Sequence, residues 1–211
     1  MRVKICGITN LEQGRSIAKL GATDLGFICV AASPRYVNNE QLAKLGPPLA
    51  SLVNCVGVFA DASIATVMET TQIANFGSVQ LHGQETFAYC QELRQQLGAI
   101  EIIKAWRIKS NEDLQVIDRY SPVVDTLLLD AYHPEALGGT GHTLNWPQLL
   151  EFRPTIPWLL AGGLKPGNVR SALSQLQPAG IDLSSGVEIS PGHKDLEQVQ
   201  RLFQVLGSRV K

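Results

Sequence analysis

Cys6 and Asp130 are the two residues whose chemistry is least expected from their surroundings. Cys6 closes the short apolar run 3–6 and is followed at once by Gly7. Asp130 closes Leu127-Leu128-Leu129 and opens a stretch with His133-Pro134 and several glycines. A thiol of ordinary pKa, about 8.5, becomes a base only where a positive field favours the thiolate. Positive charge near Cys6 is therefore expected. A carboxyl beside apolar strand residues keeps its proton more readily and suits a proton donor. The plainer readings are a packing cysteine and a strand-ending cap, so both assignments depend on where these residues sit in the fold.

Two further side chains suit ligand contact. Arg35 lies in Ser33-Pro34-Arg35-Tyr36-Val37, where Pro34 stiffens the loop and the guanidinium can grip a carboxylate with two parallel bonds. His82 follows the run 78–81 and is either a ligand contact or a hydrogen-bonded structural histidine. Three glycine loops complete the set: Gly138-Gly139-Thr140-Gly141, Ala161-Gly162-Gly163-Leu164 and Ser184-Ser185-Gly186-Val187-Glu188. Glycine lets backbone N–H groups approach an anion closely, so Gly139, Gly141, Gly162, Gly163, Ser185 and Gly186 are candidates to hold a phosphate.

The elements that must position these residues repeat. Apolar, β-branched runs at 3–6, 24–30, 52–59, 78–81, 100–106, 123–130, 157–161 and 180–184 start roughly 21 to 34 residues apart, and helix-like segments at 11–20, 64–71, 85–97 and 169–176 fall between them. Asn168 is placed to cap the last of these. Eight strands alternating with helices predict an α/β fold, a single (β/α)8 barrel over residues 1–211. A doubly wound open sheet is the alternative, but it uses fewer strands and no early GxGxxG is present. In a barrel the ligand site lies at the C-terminal strand ends, which is where all the residues above fall. The loops after strands seven and eight are this fold's recurrent phosphate site. Strand alternation turns Lys4 and Cys6 inward and Val3 and Ile5 outward, with Gln80, Lys104 and Asp182 as further inward polar positions. A buried lysine needs a partner, and strand eight neighbours strand one, so a Lys4–Asp182 pair is expected.

Composition limits the partners. With 18 Lys+Arg against 19 Asp+Glu and a formal net charge of −1, nothing in the charge balance favours nucleic acid or an anionic membrane. The N-terminus enters a strand directly, without a leader pattern, and no apolar stretch is long enough to cross a membrane. The four cysteines lack metal-ligand spacing, so no metal is expected and a cytoplasmic location with reduced thiols is.

The segments Lys4-Ile5-Cys6-Gly7-Ile8-Thr9, Ser33-Pro34-Arg35-Tyr36-Val37, Val79-Gln80-Leu81-His82-Gly83, Leu128-Leu129-Asp130, Gly138-Gly139-Thr140-Gly141, Ala161-Gly162-Gly163-Leu164 and 182–188 together resemble phosphoribosylanthranilate isomerases. The likeness runs in order from residue 3 to about residue 195. It implies the barrel and an Amadori rearrangement of a phosphoribosyl substrate in tryptophan biosynthesis, with Cys6 as general base, Asp130 as general acid and Arg35 at the anthranilate ring. It implies no cofactor, a small-molecule partner, and a monomer or homodimer. One departure is Cys29-Val30-Ala31-Ala32, where many members of that family carry an aromatic and a proline. The rivals are a histidine-pathway phosphoribosyl isomerase, which resembles an aspartate user at the Cys6 position, an FMN-binding barrel, and a non-catalytic phosphosugar-binding protein.

Overall fold

The computed structural model describes residues 1–108, 111–131 and 146–207. Each of the eight runs forms a strand: β1 (Arg2–Cys6), β2 (Asp24–Ile28), β3 (Asn54–Phe59), β4 (Ser78–Leu81), β5 (Glu101–Ile108), β6 (Thr126–Ala131), β7 (Trp158–Leu160) and β8 (Gly180–Leu183). They pair in parallel and in chain order. The ring closes where β8 meets β1, through pairs from Arg2↔Gly180 to Ile5↔Leu183. That excludes the open doubly wound sheet.

Around the barrel lie α1 (Leu11–Leu20), α2 (Asn39–Ala50), α3 (Ile64–Ala74), α4 (Phe87–Leu97), α5 (Asn111–Ile117), α6 (Val169–Gln175) and α7 (Leu196–Leu206). Asn10, Asn38, Ser63, Thr86 and Asp195 each cap the helix they precede with a side-chain oxygen. Such a cap gives an otherwise unpaired helix N–H its partner. A short antiparallel hairpin, β9 (Glu188–Ser190) with β10 (His193–Lys194), rises after β8.

Alternation along the strands divides the core in two. Val3, Ile5, Phe27, Leu81, Leu129 and Leu183 pack outward beneath the helices. Val56, Ile103, Ala105, Leu128, Leu159 and Ala161 fill the barrel interior as a separate cluster. Lys104 therefore does not point inward as expected. Its neighbours Ile103 and Ala105 take the inner positions, and its register partner is the outward-facing Leu81. Buried outside the barrel wall, Lys104 meets Glu85 at 2.8 Å and accepts no exposure to solvent beyond 2%. The loop after β4 is locked in this way, because Lys104 also donates to the Gly83 carbonyl at 3.0 Å.

The N-terminal mouth is closed by a polar plug. Arg2 reaches Asp24 at 2.6 Å and also pairs with Glu101, while Asn54, Ser78 and Thr126 complete their hydrogen bonds. Burial alone would raise the Glu101 carboxyl, but its bonds to Arg2, Ser78 and Thr126 hold it below the usual carboxylate range. A carboxyl lowered on folding contributes stability above its unfolded pKa, about 4.3, and loses it as pH falls. Thermal unfolding across an acid series should show Tm dropping below about pH 5. In Arg2→Met the neutral-pH Tm should be lower and its dependence on acid weaker, because the carboxylates have already lost their counter-charge. An identical acid profile in both proteins would remove Arg2 from this role.

Candidate active site

Cys6 ends β1 with its thiol inside the barrel mouth, and a glycine makes the room. Gly26 is its register partner on β2, and a Cβ there would stand 2.6 Å from Cys6 Sγ. Gly7 follows with φ +84°, a left-handed turn, and a Cβ on it would strike Arg35 Cδ at 2.7 Å. Cys6 is only 5% exposed. Burial pushes its thiol up, and the ammonium groups of Lys4 and Lys194 pull it only part of the way back. The positive field expected around Cys6 is present, but desolvation outweighs it and holds the thiol above its ordinary value. The remaining cysteines are reduced, with Cys29 and Cys55 pushed up to about 12 and Cys90 to about 11 by burial.

The Lys4–Asp182 pair forms as expected, at 3.0 Å with Lys4 fully buried. Burial lowers the Lys4 ammonium, but its charge and hydrogen-bond interactions with Asp182 and Cys6 together outweigh that and leave it raised. Asp182 thus serves Lys4 directly beneath the Cys6 thiol.

Arg35 does not present an open fork to the mouth. Its guanidinium is already bidentate on Glu188, with Nε at 3.0 Å and Nη2 at 2.7 Å. The same carboxylate takes Lys194 Nζ at 2.6 Å and the Gly192 N–H at 3.1 Å. Lys194, 1% exposed, also donates to the carbonyl of Cys6. Burial depresses the Lys194 ammonium, and Glu188 offsets part of that. Burial would raise Glu188, but Arg35 and Lys194 hold it low. Neither Lys194 nor the role of Glu188 was among the residues expected from sequence. The available signal is Pro191-Gly192, a turn dipeptide between two short extended runs, which folds the hairpin back over β1.

His82 and Asp130 come together at the opposite wall. His82 Nε2 stands 3.4 Å from Asp130 Oδ2, and Asp130 is 7% exposed at the end of β6. Arg107, register partner of Asp130 on β5, is another residue of this wall that the motifs did not select.

The two glycine loops after β7 and β8 are in contact. Gly162 and Gly163 have φ of +83° and +61°. A Cβ on Gly186 would lie 1.9 Å from the carbonyl oxygen of Leu164, so only glycine lets the loops close on each other. Ser185 sits in the 3-10 turn Ser185–Val187 within the second loop. Asn168 occupies the cap position of α6, but its side chain does not cap the helix. It turns back instead, accepting from the Lys165 N–H at 2.8 Å and donating to the Gly163 carbonyl at 2.9 Å, which holds the first loop. Gly139 and Gly141, with the rest of that loop, lie outside the described residues. Among the described residues no group of three or more His, Cys, Asp or Glu side chains is arranged to hold a metal ion, and no helix is long and apolar enough to cross a membrane.

Comparison with known proteins places this geometry. The model of the N-(5'-phosphoribosyl)anthranilate (PRA) isomerase family matches residues 3–205. The chain is similar to the N-(5'-phosphoribosyl)anthranilate isomerase of Trichormus variabilis, 55% identical with 99% of this chain and 100% of the relative covered. Its structure resembles phosphoribosyl anthranilate isomerase from Thermotoga maritima, with TM-score 0.89, 34% identity and 97% and 98% of the two chains covered. It also resembles a phosphoribosyl anthranilate isomerase solved with reduced 1-(o-carboxyphenylamino)-1-deoxyribulose 5-phosphate, with TM-score 0.84, 31% identity and 99% and 98% covered.

Proposed function

The chain belongs to the N-(5'-phosphoribosyl)anthranilate isomerase family, and we propose that it works with Cys6 as the base and Asp130 as the acid. The reaction is the Amadori rearrangement of N-(5'-phosphoribosyl)anthranilate to 1-(2-carboxyphenylamino)-1-deoxyribulose 5-phosphate, a step of tryptophan biosynthesis. The histidine-pathway, flavin-barrel and non-catalytic alternatives fall away with the family.

Asp130 gives its proton to the furanose ring oxygen as the anilino nitrogen lone pair opens the ring to an iminium. Cys6 then takes the C2 proton, leaving an enolamine that tautomerises to the ketone. The observation that carries this assignment is the setting of Cys6: an inward thiol, given space by Gly26, between two buried ammonium groups. Desolvation holds the proton on the resting thiol, and the iminium adds a positive charge when the base is needed. The thiolate is then favoured at that step and not before it.

The substrate phosphate is held by backbone N–H groups of the abutting loops at Gly162, Gly163, Ser185 and Gly186, and Gly139 and Gly141 are candidates for the same anion by their residue type. Asp182 acts from beneath, through Lys4. Arg35 and His82 frame the anthranilate end. Residues 1–211 act as one catalytic domain, as a monomer or a homodimer. The partner is this small molecule, with no nucleic acid or membrane, and the location that suits its free thiols is cytoplasmic.

The rearrangement needs no electron sink beyond the substrate's own iminium. Turnover should therefore persist after exhaustive chelation and in protein showing no flavin absorbance. Activity lost to a chelator and restored by a divalent ion would overturn the mechanism.

A further inference from the structure

Arg107 stands inward at the mouth end of β5. Its strand neighbours fix that facing: Ala105 belongs to the barrel interior, while Ile108 packs outward beneath the helices. Its register partner is Asp130, at the end of β6. The Arg107 side chain is half-buried, yet among the described residues its guanidinium makes no ion pair or hydrogen bond. By contrast, Lys4 is taken by Asp182, and Arg35 and Lys194 share Glu188. A cation drawn partly out of water without an anion to meet is held at a cost, which an anionic ligand would offset.

We propose that Arg107 is a specificity-determining residue: its open fork takes the carboxylate on the substrate's aromatic ring, and so selects an anthranilate over an uncharged aniline. This deepens the functional reading above and rests on where that reading puts the phosphate and the furanose ring oxygen. The order of the strands carries it. The phosphate loops follow β7 and β8, and Asp130 on β6 meets the ring oxygen. From that oxygen the substrate continues through C1 and the anilino nitrogen to the aromatic ring, away from the phosphate. Round the barrel in the same sense, the next strand is β5, and the inward side chain level with Asp130 is Arg107. Neighbouring strands lie about 4.8 Å apart, a separation that a few bonds of substrate span. Arginine suits the task because its planar fork matches a carboxylate with two parallel bonds. Arg35 approaches from the β2 side, but its Nε and Nη2 already serve Glu188. Among the described residues Arg107 is the inward guanidinium whose donors are open.

The test is a binding cycle that needs no turnover, so it stands or falls apart from the roles of Cys6 and Asp130 in catalysis. Titration calorimetry compares reduced 1-(o-carboxyphenylamino)-1-deoxyribulose 5-phosphate with the same compound lacking the carboxylate, on the wild-type protein and on Arg107→Gln. In the wild type, removing the carboxylate should weaken binding roughly ten- to a hundredfold, the scale of a charge-assisted bond. In Arg107→Gln the two ligands should bind alike, both near the wild-type affinity for the ligand without a carboxylate. Arg107→Lys keeps the charge and loses the fork, so it should retain part of the preference. Neither substitution strands a partner among the described residues. An undiminished preference in Arg107→Gln places the carboxylate elsewhere and overturns the proposal. So does an equal loss for both ligands, which marks a structural or phosphate-side role. If the wild-type protein binds neither compound, the substrate reading beneath the proposal fails and takes the proposal with it.

Discussion

Cys6→Ala and Asp130→Asn are each expected to lower kcat by roughly 10²- to 10⁴-fold, the usual loss when a positioned base or acid is removed. Both variants should fold, because each change is small and sits at the barrel mouth, where the outer core beneath the helices is untouched. Cys6→Ser should fail as well, since a hydroxyl yields its proton far less readily than a thiol. Burial raises the Cys6 thiol, so in the free enzyme the thiolate fraction grows as pH rises toward that raised value. The logarithm of kcat/KM should therefore climb with pH from neutral into the alkaline range, and alkylation by iodoacetamide should accelerate over the same range. Lys194→Met removes one of the two charges that pull the thiol down, so it should displace that climb to higher pH. Bound product should protect against alkylation. A Cys6→Ala enzyme turning over near the wild-type rate would place the base elsewhere.

How much of this was legible in the sequence depends on what each feature answers to. The strands were readable because their β-branched runs are short and bounded by turn residues, and all eight appear in the order expected. The helix α2 was not singled out: Pro47 and Pro48 lie inside it and mask a start that the Asn38–Gln41 capping box does mark. Lys104 shows the limit of alternation, since the facing of a strand follows from its register with its neighbours, which one strand alone does not carry. The Lys4–Asp182 pair was legible because closure puts strands one and eight side by side. Cys6 was found, but the balance at its thiol was not. Desolvation and two ammonium groups act in opposite directions, and only packing decides which is larger. Arg35 likewise stood out by its type and its loop. Its commitment to Glu188 depends on a hairpin 153 residues further along the chain, beyond anything local to the motif.

That hairpin makes Glu188 the residue whose loss should cost the most stability at the mouth. Its carboxylate is shared by Arg35 and Lys194, both nine-tenths or more buried. Removing one partner of a buried ion pair leaves an uncompensated charge and typically costs about 3–5 kcal/mol. Here two cations would be left facing each other, so Glu188→Ala should lie at the upper end of that range, measured by denaturant or thermal unfolding. Relief is expected from a second change: Lys194→Met in the same chain removes one stranded cation and should recover part of the loss, a coupling that a double-mutant cycle measures directly. Arg35→Ala gives the complementary result, because Glu188 keeps Lys194 and the stability loss is smaller. If Arg35 also meets the carboxylate at the substrate's anthranilate end, as its guanidinium suits it to do, that variant should raise KM roughly ten- to a hundredfold through loss of a charge-assisted bond. Equal stability losses for Glu188→Ala and Arg35→Ala, with no coupling to Lys194, would show that the three charges do not act as one unit.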